Sequence, residues 1–100
     1  MRMTTVLRAL ANDKRLLIMT WLKNPRAHFR EQADGDLVED GVCGVLLAEK
    51  LGVTQPTLSE HMRVLVQAGL VRAKHTKRWT FYRRAEQRIR KLKLEFSADL

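Results

Sequence analysis

A chain of 100 residues, 45% hydrophobic and with two prolines, can build the core of one small domain, which excludes a disordered segment and a two-domain arrangement. Its one cysteine, Cys43, excludes an internal disulfide framework, and no apolar run approaches the ~20 residues of a membrane span. Nineteen Lys and Arg against eleven Asp and Glu give a formal charge of +8, which points to a polyanion, nucleic acid before acidic membrane. The opening run Met1-Arg2-Met3-Thr4-Thr5 lacks signal-peptide features, so a cytoplasmic location is expected.

Met3, Val6, Leu7 and Leu10 recur at helical spacing and predict a short first helix. Asn12-Asp13 supplies N-cap residues for a second helix carrying Leu16, Leu17, Ile18, Met19, Trp21 and Leu22. That helix is apolar on more than one face, which suits a central core element. Pro25 ends it, and residues 25–42 read as a long loop with at most a short turn around His28–Gln32. Val45, Leu46, Leu47, Ala48 and Leu51 predict a third helix stopped by Gly52. Thr54 caps a fourth, with Pro56 in its first turn and an apolar stripe of Leu58, Met62, Leu65 and Val66 ending at Gly69. Two β-rich runs, Leu70–Lys74 and Trp79–Arg83, follow, joined by a flexible link of residues 75–78. Ala85, Ile89, Leu92 and Phe96 form an a/d seam on a last helix. The expected fold is mainly α with a small β-hairpin, in the order α-α-α-α-β-β-α, as one winged helix-turn-helix domain over residues 1–100.

Charge is unevenly spread. Residues 31–40 hold five acids and no base, and read as a solvated loop. Residues 41–93 hold twelve bases and three acids, so a binding site for a polyanion is sought there. Within that segment, Ala48 is small enough for a close helix crossing, Gly52 permits a left-handed turn, and Val53, Leu58 and Met62 lock the second helix onto the first. These are the demands of a helix-turn-helix. The outward residues of its second helix are Pro56, Thr57, Ser59, Glu60, Arg63, Val64 and Gln67, with Thr54 and Gln55 at its start and His61 on the flank. Thr54, Gln55, Pro56, Thr57, Ser59, Glu60, His61 and Arg63 are therefore candidates for DNA contact in the major groove. Glu60 stands there to accept from a cytosine, to pair with Arg63 three residues on, or only to temper a very basic surface as an exposed carboxylate. In the hairpin, Lys74, Lys77 and Arg78 are candidates for backbone or minor-groove contact.

The segment Leu10-Ala11-Asn12-Asp13-Lys14-Arg15-Leu16, the run from Leu47 to Leu65, Ala68-Gly69-Leu70-Val71 and Lys77-Arg78-Trp79-Thr80-Phe81-Tyr82-Arg83 together resemble ArsR-family winged-helix repressors. The resemblance covers most of residues 6–84 and implies a homodimeric transcriptional repressor whose first and last helices pair the subunits. The apolar surplus at both ends of the chain points the same way, and places Met3, Val6, Leu7, Leu10, Ile89, Leu92 and Phe96 at the dimer interface. A two-fold protein predicts an inverted-repeat double-stranded operator.

The chain departs from the family at several positions. Where metal-sensing relatives carry a Cys-x-Cys box it has Cys43-Gly44-Val45, and its last helix offers no Asp-x-His or His-x-x-Glu pair. His28, His61 and His75 lie in separate segments, so no metal and no cofactor is expected. Cys43 reads as a packed residue, with a regulatory thiol as the alternative. Residues 26–42 look like an insertion, and Glu60 replaces the basic residue of many relatives. Two alternatives to a DNA-binding repressor are a winged-helix protein-interaction module with weak DNA affinity and a thiol- or metal-responsive repressor using Cys43. An enzyme is not expected, because no nucleophile elbow, phosphate loop or metal triad is present. No inducer is implied by any motif.

Overall fold

The computed structural model describes residues 2–100, with Met1 outside it. Helix α1 spans Met3–Leu10 and α2 spans Asp13–Lys23. Asn12 separates them, its side-chain oxygen accepting from the Arg15 backbone N–H at 3.1 Å, a cap worth about 1 kcal/mol. Pro25 ends α2 and also opens a one-turn helix, α3 (Pro25–His28), ahead of the short turn expected around His28–Gln32. Then come β1 (Val42–Cys43), α4 (Gly44–Leu51), α5 (Gln55–Gln67), β2 (Val71–His75), β3 (Thr80–Arg84) and α6 (Glu86–Asp99).

The hairpin of β2 and β3 is joined by β1 into a three-stranded antiparallel sheet ordered β1-β3-β2. Tyr82 lies between Val42 on one side and Ala73 on the other. Strand β1 escapes sequence reading because it has two residues, both buried, and so no alternation to detect. It is admitted by Gly41, at φ +110°, where a Cβ would stand 2.5 Å from the Tyr82 carbonyl oxygen.

The core is where α1, α2, α4 and α5 meet the sheet. Val6, Ile18, Val42, Leu47, Met62, Leu65 and Leu70 are fully enclosed there. Burial of each such side chain is worth roughly 1.5–3 kcal/mol. Two apolar assignments change. Helix α2 buries Ile18, Met19 and Leu22 along one face only, leaving Leu16 and Leu17 each 46% exposed. On α5 the half-buried valine is Val64, while Val66 faces outward, because Leu58, Met62 and Leu65 already set the inward face.

The acidic segment is held in place, contrary to its reading as a solvated loop. Phe29 and Leu37 are buried. The Asp36 carboxylate accepts the N–H groups of Val38 and Glu39 at 2.9 and 2.8 Å and pairs with Arg26. The Asp40 carboxylate accepts the Asp36 N–H at 2.7 Å. Gln32 spans the base of the loop, donating to the Gly41 carbonyl at 2.7 Å and accepting from the Cys43 N–H at 3.0 Å. Side chain-to-backbone bonds of this kind leave no periodic trace in sequence. The hairpin link is also better defined than expected: the Thr76 N–H reaches the Trp79 carbonyl at 2.8 Å, and the Thr76 hydroxyl accepts from the Trp79 N–H at 3.0 Å.

Candidate nucleic-acid interface

Helices α4 and α5 are joined by a turn that Gly52 makes possible, with φ +72° and, beyond its two chain neighbours, no heavy atom of the described residues within 4 Å of where a Cβ would stand. The Val53 N–H returns to the Ala48 carbonyl at 3.0 Å, which closes the end of α4. Thr54 then starts α5: its hydroxyl oxygen accepts from the Thr57 N–H and donates to the Thr57 hydroxyl at 3.1 Å. The inward face of α5 is locked by Leu58, Met62 and Leu65. What remains outside is a polar surface of Thr54, Gln55, Pro56, Thr57, Ser59, Glu60 and Arg63, all exposed.

The hairpin lies beside the start of this helix. Gln55, Leu58 and Ser59 of α5 and Thr76, Lys77, Arg78, Trp79 and Thr80 of the hairpin line one open cleft of ≈ 440 Å³, with Cys43 and Tyr82 at its base. The exposed start of α5 and the basic tip of the hairpin thus flank a common concavity. Lys77 and Arg78 are exposed, and among the described residues neither has a carboxylate at ion-pair distance. The Arg78 guanidinium lies 5.7 Å from the Trp79 ring centre, so its stem is laid along the hairpin. Lys74, grouped with them in sequence, is placed differently: its ammonium is paired with Asp40. That pairing holds the Asp40 carboxyl below its ordinary range.

His61 is half-buried, and its Nδ1 lies 3.1 Å from Nη1 of Arg15. A guanidinium only donates, so Nδ1 accepts and the ring proton sits on Nε2. The same Arg15 donates Nε to the Ala9 carbonyl at 2.6 Å, at the C-terminal end of α1. Desolvation, reinforced by Arg15 and Lys14, pushes the His61 pKa down. Arg15 is a residue that sequence reading passed over, although it sits in the motif around Asn12. Its spacing from the end of α1 is the only trace of its role.

Glu60 and Arg63 form a two-pronged pair, Nε to Oε2 at 2.9 Å and Nη2 to Oε1. Nη1 of Arg63 donates to Gln67 Oε1 at 2.9 Å. Of the three sequence readings of Glu60, the structure contains the pairing with Arg63, on an exposed face of the helix. Hydrogen bonding from Arg63 holds the Glu60 pKa down, so this carboxyl stays ionised.

Of the terminal apolar residues, Val6 and Ile89 are already covered within the chain, at 1% and 6% exposure, because both turn inward from their helices. They form the floor of an apolar groove of ≈ 580 Å³ whose walls include Met3, Leu7, Leu10, Leu92 and Phe96. Leu7 and Phe96 remain 45% and 40% exposed. Cys43 is buried opposite Phe81. His28, His61 and His75 stand on α3, α5 and β2, and among the described residues no three His, Cys, Asp or Glu side chains are grouped so as to hold a metal ion. The donors present do not fit a thiolate metal centre.

Residues 46–73 match the family described as bacterial regulatory protein, arsR family. Over 87 residues the chain is 40% identical to YbzH, an uncharacterized HTH-type transcriptional regulator of Bacillus subtilis (strain 168), covering 87% of each. The chain belongs to the ArsR family. Solved structures similar to this ArsR-family chain share its architecture. One is the homodimeric winged helix-turn-helix DNA-binding domain of Mb0332 from Mycobacterium bovis, with TM-score 0.65, 28% identity, and coverage of 96% of this chain and 77% of that one. Another is NolR from Sinorhizobium fredii, with TM-score 0.61, 26% identity, and coverage of 95% and 80%. The ArsR-family chain is a DNA-binding transcriptional regulator with a winged helix-turn-helix fold.

Proposed function

We propose that the chain is a homodimeric repressor that recognises an inverted-repeat, double-stranded operator. The observation that carries this reading is the cleft shared by the start of α5 and the tip of the hairpin. Helix α5 enters the major groove through Thr54, Gln55, Pro56, Thr57 and Ser59, while the wing residues Lys77 and Arg78 neutralise phosphates beside it. His61 presents its Nε2–H to the backbone, and Arg63 reads a base. Repression follows by occupying promoter DNA.

The subunits pair through α1 and α6, whose groove of Met3, Leu7, Leu10, Leu92 and Phe96 is closed by the same groove of a second copy. The homodimeric Mb0332 domain, similar over 96% of this chain, supports that arrangement. The whole chain is one domain that acts in the cytoplasm without a cofactor or an enzymatic step. Among the described residues no helix is long and apolar enough to cross a membrane. Cys43 serves packing.

Fluorescence anisotropy tests the reading, with DNA from upstream of the gene and random duplex, each titrated over a range of salt. Tighter binding to the upstream DNA and a linear fall of log affinity with log salt are expected. Equal, salt-insensitive or absent binding to both duplexes overturns it in favour of a protein-docking module.

A further inference from the structure

The outward face of α5 meets a polyanion, and yet it carries a carboxylate. Repulsion from phosphate makes Glu60 a liability for affinity. Fold stability does not account for it: the side chains of Glu60 and Arg63 are 61% and 52% exposed, and exposed ion pairs contribute little. The explanation lies in what the carboxylate does to Arg63.

A guanidinium has five N–H donors. Glu60 takes two, on Nε and Nη2, and Gln67 takes one on Nη1. One hydrogen remains on each terminal nitrogen, the number that a bidentate contact with O6 and N7 of a guanine uses. Glu60 lies one turn before Arg63 on the helix and Gln67 one turn after it, so the guanidinium is fixed from both sides along α5. Left alone, an exposed arginine samples many rotamers and meets a phosphate as readily as a base. Held by two acceptors on its own helix, it presents one orientation to the groove.

We propose that Glu60 and Gln67 are positioning residues that hold Arg63 to read one guanine in each operator half-site, so that Glu60 lowers general DNA affinity while raising selectivity. The inference rests on the DNA-binding role of α5. It assigns Glu60 an indirect part in recognition and separates Arg63 from Lys77 and Arg78, which meet the backbone whatever the sequence.

Site selection from a random duplex pool, followed by anisotropy on single-base-pair variants, tests it. The variants are Arg63→Lys, Glu60→Ala, Gln67→Ala and the double variant Glu60→Ala/Gln67→Glu, with circular dichroism to check the fold. Wild type should prefer guanine at one position per half-site by roughly five- to 150-fold. Arg63→Lys should abolish that preference alone. Glu60→Ala and Gln67→Ala should each weaken it about tenfold, although only the first changes the charge. Glu60→Ala should also bind random duplex more tightly. The double variant, which returns a carboxylate on the other side of the guanidinium, should regain part of the preference. An unchanged guanine preference in both single alanine variants overturns the proposal. So does a preference that moves with Glu60→Ala and not with Arg63→Lys, which identifies Glu60 as the direct reader. If wild type binds duplex without any base preference, the guanine contact falls while backbone binding stands. If it binds no duplex at all, the DNA-binding role of α5 falls with it.

Discussion

The Lys74 ammonium on β2 is paired with the Asp40 carboxylate of the acidic segment that precedes β1. One cation of the hairpin is thereby neutralised from within the chain, and any phosphate has to compete with Asp40 for it. Replacing Lys74 with Ala should leave the salt dependence of DNA binding nearly unchanged. Asp40→Asn should release the ammonium, tighten binding to random duplex and steepen the salt slope by about 0.9 per subunit. Anisotropy over a salt series checks both. A shallower slope for Lys74→Ala would show that Lys74 contacts phosphate in spite of its partner.

Among the described residues, Lys77 and Arg78 have no such competitor. Their double alanine variant should lose affinity for all sequences alike, and the slope should fall by about 0.9 for each phosphate contact removed per subunit. The ratio of operator to random binding should hold. A changed ratio would assign them a base.

The apolar groove between α1 and α6 gives a dimer test that spares the core. Leu92 is half-buried against its own chain, while Phe96 is 40% exposed. Phe96→Glu should therefore split the dimer without unfolding the subunit, and should weaken operator binding in step. Light scattering should read twice the chain mass of 11.6 kDa for wild type and the single mass for the variant. A wild-type protein that binds operator as a single chain would remove the dimer.

The pH dependence of stability should carry the mark of His61. Its pKa is lowered on folding, by desolvation first and then by Arg15 and Lys14, with Glu60 opposing. The unfolded chain therefore binds the proton more readily, so stability is full above the ordinary value of 6.5 and falls as the pH drops through it. The lowered carboxyls of Asp36, Asp40 and Glu60 start from 3.8, 3.8 and 4.5, and act in a separate, more acidic window. Urea midpoints at pH 7.5 and pH 5.5 should differ in wild type and converge in His61→Gln. Equal midpoints in wild type would mean that the ring titrates as it does when unfolded.

The helix-turn-helix, the hairpin and the terminal helices were legible because each leaves a local mark: Asn12 and Thr54 as caps, Gly52 as a left-handed turn, and Leu58, Met62 and Leu65 as a stripe. What was not legible depends on contacts between distant segments. Strand β1 exists only through its pairing with β3, and the acidic segment is ordered by Asp36, Asp40 and Gln32 bonding to backbone. The polar surface of α5 was read correctly in outline. Composition could not show that Lys74 has a partner in the chain, or that Arg15 ties the end of α1 to His61. Val64 and Val66 exchanged places because helical spacing alone did not fix which edge of the stripe turns inward.

Two glycines make a paired stability test. Gly52→Ala meets open space and should cost about 1–2 kcal/mol for its left-handed backbone alone. Gly41→Ala adds to a similar penalty a collision with the Tyr82 backbone, and should cost at least twice as much. Thermal melts compare them, and equal losses would show that β1 can withdraw from β3.

The closeness of Gly41 to Tyr82 also bears on how this branch of regulators can change over generations. A side chain at position 41 would collide with the Tyr82 backbone, so the junction between the acidic segment and the sheet leaves little room for substitution. Glu31 and Glu39, ten and two residues upstream, are exposed and belong to no ion pair among the described residues. The segment is therefore a counterweight of negative charge on a fixed hinge pin, and substitutions of Glu31 and Glu39 should change the protein's net charge without displacing the wing.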